Sequence, residues 1–295
     1  MKTRIQFLLL AASLAALPGI LQAQPSAHYV PGSEGIKGAS LPPPGVYFRD
    51  YNYFYTAIQL NDPSGNKDGP PNFDVFTYAN IPRVIWITDT KLFGGFVGVD
   101  GLLPLVYQSV KAGGSDSSTF GIGDLFAEGT LSWHPKQFDF AIGSGIWAPT
   151  GDSGKPNTTT RVGAGFWTFM QTAGATWYID EEKTWAVSVL NRYEFSTAQR
   201  DADVIPGQTY TLEWGVSKGV SKEADLVVVG YYQQQVNPNS GASYSSRSRV
   251  AAVGPEVSVM FPKPMLFVSF RYLYEFMAES RAQGNAFTLT LTKRF

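Results

Sequence analysis

Cysteine is absent from the 295 residues, so the chain has neither a disulfide framework nor a thiolate metal site. Histidine is scarce: His28 and His134 are the only two, and they cannot assemble a metal site with any normal spacing. Charged residues make up 16% of the chain, against about a quarter in an ordinary soluble domain. With 23 basic and 24 acidic residues there is no clustered positive surface, which argues against nucleic acid as a partner. Beyond the N-terminus no apolar run is long enough to cross a bilayer as a helix. Aromatic residues, by contrast, are plentiful at 14%.

Met1 to Ala23 carries Lys2 and Arg4, the apolar run Phe7 to Leu17, the helix-breaking Pro18-Gly19 and a small-residue exit at Leu21-Gln22-Ala23. This is the layout of a secretory signal peptide, residues 1–23, with cleavage expected after Ala23. The apolar run is too short to span about 30 Å of hydrocarbon. Loss of Lys2 and Arg4 leaves 21 basic against 24 acidic residues, a net charge of −3. The exported chain crosses a membrane only if it does so with strands.

The last ten residues, Ala286 to Phe295, say how. Phe287, Leu289, Leu291 and Phe295 alternate with Ala286, Thr288, Thr290 and Thr292, the two-residue period of a strand with one apolar and one polar face. In water such a terminal strand leaves an unpaired edge. In a bilayer it turns its apolar row to lipid and pairs with the first strand, which closes a barrel. It resembles the C-terminal signature strand of bacterial outer-membrane proteins, whose final Phe is read by the barrel-assembly machinery. That resemblance implies such a contact through Phe295.

Residues 24–44 are rich in Gly, Pro and Ser and lack either period, so they read as an irregular lead-in that is either a free periplasmic tail or a plug folded into the barrel mouth. From Gly45 to Phe295 strand-like runs alternate with two kinds of connector. Short ones fall around Asp89 to Phe93, His134 to Lys136, Asp180 to Lys183, Ser221 to Ala224 and Pro262 to Pro264. Longer ones fall at Asn61 to Asn72, Lys111 to Ser118, Thr150 to Arg161, Ala198 to Gly207, Asn237 to Ser246 and Ala278 to Asn285. Tight periplasmic turns alternating with larger external loops are the asymmetry of an outer-membrane barrel, and eleven connectors imply about twelve strands. The expected fold is an all-β, antiparallel, up-and-down transmembrane β-barrel.

Aromatics collect near strand ends: Trp86, Trp133, Trp177, Trp185 and Phe261 beside short turns, and Tyr107, Trp147, Tyr193, Tyr232 and Phe276 toward long loops. Two such rings suit two membrane interfaces. Gly45 to Ala57 has aromatics on both faces and cannot be oriented from sequence. Orienting the other strands by their apolar rows places Arg83, Asp100, Asp124, Glu128, Arg192, Glu194, Glu213, Glu256, Arg271 and Glu275 toward the lumen. These charges either pair to fill a narrow barrel or border a path for solute.

Catalytic chemistry finds little support. His134 sits in a tight turn and His28 precedes the first strand, so neither is placed to serve a Ser-His-Asp apparatus. Phe120 to Asp124 (FGIGD) has a glycine pair but is expected to continue as a strand, whereas a phosphate cradle needs a helix. Asp62 to Gly69 lacks the sixth-position glycine and twelfth-position carboxylate of a calcium loop. No cofactor is expected.

Gly35-Ile36 with Gly38, Leu41 to Tyr47 (LPPPGVY), Phe120 to Leu125 (FGIGDL) and Gly145 to Asp152 (GIWAPTGD) together resemble the outer-membrane channel family known as "meta-pathway of phenol degradation" proteins. The resemblance covers essentially the whole exported chain. It implies a twelve-stranded barrel that passes small, often hydrophobic or aromatic molecules across the outer membrane of a Gram-negative bacterium. A monomer surrounded by lipid and lipopolysaccharide is the expected setting. The alternatives are a structural or adhesive barrel with a filled lumen, and an outer-membrane enzyme.

Overall fold

The computed structural model describes residues 27–154, 160–200, 202–241 and 246–295. The expected signal peptide lies outside the described residues. Fourteen strand segments follow one another: β1 (Gly45–Leu60), β2 (Asp74–Leu92), β3 (Gly95–Leu102), β4 (Leu105–Ala112), β5 (Ser115–Ile122), β6 (Leu125–Trp133), β7 (Phe138–Ala148), β8 (Thr168–Tyr178), β9 (Trp185–Ser196), β10 (Thr209–Gly219), β11 (Ala224–Gln235), β12 (Arg249–Phe261), β13 (Leu266–Glu279) and β14 (Ala282–Arg294). Each pairs antiparallel with its neighbours, and β1 closes the ring by pairing with both β2 and β14, Tyr51 lying opposite Ile81 and Thr290. Closure gives the backbone amides partners without help from solvent, as a hydrocarbon surround requires.

The fourteen segments make a twelve-stranded barrel because β3 with β4, and β5 with β6, are each one stave broken in two. One half of β2 pairs with β3, Arg83 opposite Leu102, and the other half with β4, Asn80 opposite Leu105. The first break is at Leu103-Pro104, where proline has no N–H to give a ladder. The second is at Gly123-Asp124, contrary to the expectation that Phe120 to Asp124 runs on as a strand. Gly123 N donates instead to the Pro104 carbonyl at 2.7 Å, so the two breaks satisfy each other.

Two connectors expected to be long loops are tight turns. Between β4 and β5 only Gly113-Gly114 remain, with φ of 58° and 90°, the left-handed pair that a two-residue hairpin needs. Between β13 and β14 only Ser280-Arg281 remain, with Ser280 at φ 52°. Small polar residues at these strand ends imitate loop composition, which is why the pattern misleads. The other four connectors at that end are long, and those at the opposite end are all short.

The faces follow the alternation. Phe270 is 50% and Leu289 36% exposed on the outside, while Glu275 is 1% exposed within. The strand that sequence leaves unoriented, β1, turns Val46, Phe48, Phe54 and Ile58 outward and Tyr47, Tyr51 and Ala57 inward. On its outer face Asp50 accepts hydrogen bonds from Asn52 (2.9 Å) and Asn80 (2.8 Å), so this polar cluster in the wall is internally satisfied. Trp86, Trp177, Trp185 and Phe261 are exposed near the short turns, and Tyr107 and Phe276 toward the other end. Trp147 departs from that scheme: it is buried inside the barrel rather than set in an interface ring.

An arginine placed at Leu289 would have to sit in hydrocarbon. Leu289→Arg is expected to lower the unfolding free energy in lipid vesicles by about 2–4 kcal/mol, measured by urea titration, whereas Thr288→Ser on the inner face should change it little.

Candidate functional site

Residues 27–44 do not sit at the barrel mouth; they thread the lumen lengthwise. His28 lies level with Thr168 and Asp124, and the segment leaves at the short-turn end, where Tyr47 Oη donates to the Pro43 carbonyl at 2.7 Å. Three apolar side chains anchor it. Tyr29 belongs to an inner cluster with Phe126, Trp147 and Met170; Ile36 packs on one built from Val227, Val229, Tyr231 and Leu273; Leu41 packs on Tyr47, Ile85 and Ile87.

The wall carboxylates meet the backbone of this segment. Glu194 Oε1 accepts the N–H groups of His28 (3.0 Å) and Tyr29 (3.1 Å). Glu213 accepts those of Gly32 (2.9 Å) and Glu34 (3.2 Å) and the hydroxyl of Tyr29. Glu256 accepts the N–H of Ile36 at 2.9 Å, and Arg271 donates to the Ser33 carbonyl at 2.9 Å. An irregular segment has no ladder to satisfy its amides, so acceptors on the wall take that place. Gly35, with φ 67°, passes so close to Arg271 that an added Cβ would lie 1.8 Å from its Nη1, which accounts for glycine there.

Glu34 enters a cage of arginines. Its Oε1 accepts from Arg83 (2.6 Å) and Arg192 (3.2 Å), and its Oε2 from Arg49 (3.0 Å) and the Tyr51 hydroxyl (3.2 Å). Arg83 also bonds Asp100 at 2.8 Å and faces Glu128 at 3.7 Å. Burial pushes the Glu34 carboxyl up, but Arg83, Arg192 and Arg49 outweigh it and hold the group well below the usual carboxylate range. A depressed folded value means the charge contributes to docking above the ordinary glutamate range and is lost only as pH falls through the lower, folded value.

The two glycine-rich sequence motifs meet at the strand break. Asp124 Oδ1 accepts the N–H of Gly151 (2.9 Å), and Oδ2 accepts that of Ala164 (2.7 Å) and faces His28 Nε2 at 2.9 Å. Leu125 N donates to Thr150 Oγ1 at 2.9 Å. His28 in turn stacks on Trp147, with ring centroids 5.4 Å apart. Above this level, among the described residues, β6 pairs with β7 only as far as Leu125 opposite Ala148, while β5 pairs with β4 alone and has no strand on its other side. Residues 160–163 line the inside of that edge: Thr160 Oγ1 lies 3.0 Å from Ser117 Oγ, and Arg161 N donates to Gln108 Oε1 at 3.3 Å. Phe120, Ile122, Trp167 and Phe169 are exposed around it.

Between the docked segment and the loop end lies a cavity of about 790 Å³, floored by Glu34, Arg83 and Arg192 and walled by Val75, Ala79, Ile81, Val106 and Val110. It reaches Val162 and Gly163 at the free edge of β5.

All ten charged residues expected toward the lumen are buried: Arg83, Asp100, Asp124, Glu128, Arg192, Glu194, Glu213, Glu256, Arg271 and Glu275. Most serve the lead-in segment rather than one another. Glu275 instead accepts the hydroxyls of Tyr55 and Tyr231 and the N–H of Gly284. Sequence reasoning missed Glu34, which looks like a lone charge in a glycine-rich stretch, and Arg49 and Tyr51, which lie on the strand it could not orient. It also placed the histidines too far from hydroxyl–His–carboxylate chains. His134 Nδ1 lies 2.9 Å from Asp139 and its Nε2 3.3 Å from Ser132, and His28 bridges Thr168 and Asp124. Ser132 and Thr168 are both fully buried, so neither hydroxyl is open to an acyl substrate. The Asp62 to Gly69 loop turns its carboxylate on itself, Asp62 Oδ1 accepting the Ser64 and Asn66 amides at 2.8 Å each.

Because the cage keeps Glu34 ionised, the loss of protection of residues 28–40 from limited proteolysis in micelles caused by Glu34→Gln should be the same at pH 8 and at pH 5. Glu213→Ala, which removes the acceptor of the Gly32, Glu34 and Gly35 amides and of a tyrosine hydroxyl, should itself raise cleavage in that segment about tenfold at every pH.

The fold is shared with solved structures. An outer membrane channel from Pseudomonas putida F1 superposes with a TM-score of 0.79 at 16% identity, over 90% of this chain and 100% of that one. The beta domain of the Bordetella autotransporter BrkA follows at 0.52 and 12%, over 85% and 99%. No curated protein sequence matches the chain. Residues 59–291 match the model of the family described as "Putative MetA-pathway of phenol degradation", and with most of its length covered the chain belongs to that family.

Proposed function

We propose that the protein is a channel of the Gram-negative outer membrane for passive uptake of small hydrophobic or aromatic molecules. The observation that carries this reading is the cavity: it opens toward the loop end, is walled by aliphatic side chains of β2 and β4, and reaches the edge of β5, which has no neighbouring strand among the described residues. Sites for small organic ligands are concave, mostly apolar and supplied with a few polar groups. A structural barrel with a filled lumen would have no use for this space, since the lead-in segment fills only the lumen beneath it.

An apolar solute gains by leaving water for hydrocarbon, about 25 cal/mol for each Å² of surface transferred. The free edge of β5, bordered by Phe120 and Ile122, offers that exit sideways into the bilayer without passage past the docked segment. In this setting lipid and lipopolysaccharide surround a monomeric barrel, and the assembly machinery engages β14 through Phe295.

Two experiments test the reading. Deleting residues 28–39 should raise single-channel conductance in planar bilayers; unchanged conductance would remove the segment as the obstruction to ions. The sideways exit is tested by the paired replacements Ser117→Cys and Thr160→Cys, whose hydroxyls now lie 3.0 Å apart. In a chain free of other cysteines, oxidising this pair should slow uptake of benzyl alcohol into vesicles with a lipopolysaccharide outer leaflet and leave ion conductance unchanged. Equal uptake by the oxidised and reduced forms would contradict the sideways route.

A further inference from the structure

The cage around Glu34 has the construction of a carboxylate-binding site occupied by the protein's own side chain. Four donors converge on one carboxylate, two on each oxygen. Arg83, Arg192 and Tyr51 belong to the barrel wall and are 5%, 4% and 4% exposed; Arg49 is half-buried. Apart from Glu34, Arg83 bonds Asp100 and faces Glu128. Three guanidinium groups thus converge on Glu34, with the wall carboxylates Asp100 and Glu128 set to the far side of Arg83. Glu213, beyond Arg192, is occupied by the Tyr29 hydroxyl and the segment's amides.

Two further features point outward from the cage. Three of its four donors, Tyr51, Arg83 and Arg192, line the cavity, so the space above them is open to solute. Arg192 Nε, buried at that floor, has no hydrogen-bond partner among the described residues. A buried arginine donor left unpaired is costly, and a ligand with more than one acceptor atom can relieve that cost. The cavity side walls, including Val75, Ile81, Val106, Tyr53, Phe126 and Trp147, suit an apolar or aromatic body.

We infer that the cage is a binding site for small organic monocarboxylates with an apolar or aromatic body, and that such a solute displaces Glu34 and undocks the lead-in segment. This rests on the channel reading and narrows its substrate class. Arginine forks and a tyrosine hydroxyl recognise a carboxylate through charge-assisted, directional hydrogen bonds, so the acid is selected over a neutral molecule of the same shape. The coupling is competitive: ligand and Glu34 need the same donors, and the ligand shifts the docked–undocked balance only by its preference for the vacated cage. Tyr29 lies against the same Arg192, its ring centroid 3.9 Å from the guanidinium carbon, so displacement at Glu34 is felt at the neighbouring anchor.

The test compares benzoate with benzyl alcohol, its neutral analogue, on the full exported chain in micelles and bilayers. Glu34→Gln keeps the side-chain size and removes the competitor's charge. By calorimetry it should bind benzoate about tenfold tighter or more than the parent protein, with benzyl alcohol binding unchanged. Adding Arg49→Gln should reverse the gain. In the parent protein, benzoate should raise conductance and speed proteolysis of residues 28–40, and benzyl alcohol should do neither. The inference is overturned if Glu34→Gln binds benzoate no better than the parent does, or if benzyl alcohol gains equally. If Glu34→Gln fails to reach the folded, heat-modifiable form, the parent-protein arm decides: absence of a benzoate effect on conductance and proteolysis overturns the inference. Uptake of benzyl alcohol into lipopolysaccharide vesicles tests the channel reading separately, so loss of one leaves the other standing.

Discussion

Hydrocarbon on the outside of the wall is the constraint from which the remaining features follow. It drives the strands to close into one ring of ladders through β1, turns Phe270 and Leu289 to the surface, and leaves the interior as the place where charge can be held. Polar residues are consequently as common among the buried groups as apolar ones, the reverse of a soluble core. An interior so rich in charge is stable only if its groups find partners. The irregular segment ahead of β1 supplies many of them: its amides go to Glu194, Glu213 and Glu256, and its one lumenal carboxylate goes to Arg49, Arg83 and Arg192.

Segment and wall therefore need each other, and the need is asymmetric. The barrel closes through its own ladders, whereas the segment has no regular structure of its own and depends on borrowed acceptors and three separate apolar contacts at Tyr29, Ile36 and Leu41. Such an element is the one expected to move while the barrel stays intact, because its attachments are side-chain bonds that another solute can replace. The broken staves are the second departure from a regular barrel. Pro104 and Gly123 interrupt adjacent staves at one level, the Asp124 carboxylate gathers loop amides into the gap, and β5 is left with an edge that no strand covers among the described residues.

Much of this was legible in the chain. Alternation in β13 and β14 assigned lipid and lumen faces residue by residue, because a two-residue period bounded by oil on one side leaves little freedom. The ten lumenal charges followed from the same rule. What escaped was whatever alternation does not govern. In β1 aromatic rings occupy both faces, Phe48 and Phe54 outside and the tyrosines inside, where Tyr55 reaches Glu275 and Tyr51 reaches Glu34, so ring content no longer marks a side. Gly113-Gly114 and Ser280-Arg281 resemble loops in composition but are two-residue turns. Glu34 gathers Arg49, Arg83 and Arg192 and His28 gathers Asp124 and Thr168 from separate strands and strand ends, and no local pattern announces such partners. Three of the four motifs are explained only in three dimensions: Gly35 clears Arg271, and Asp124 of FGIGDL binds the Gly151 amide of GIWAPTGD.

The claim at the centre of this account is that residues 28–36 are held against the inner wall by acceptors on the strands. Hydrogen exchange of their amides in lipid nanodiscs measures that directly. Protection of His28, Tyr29, Gly32, Glu34, Gly35 and Ile36 approaching that of the barrel strands, with Val30 and Ser33 exchanging faster, is the expected result; uniform, rapid exchange through the whole segment would contradict it.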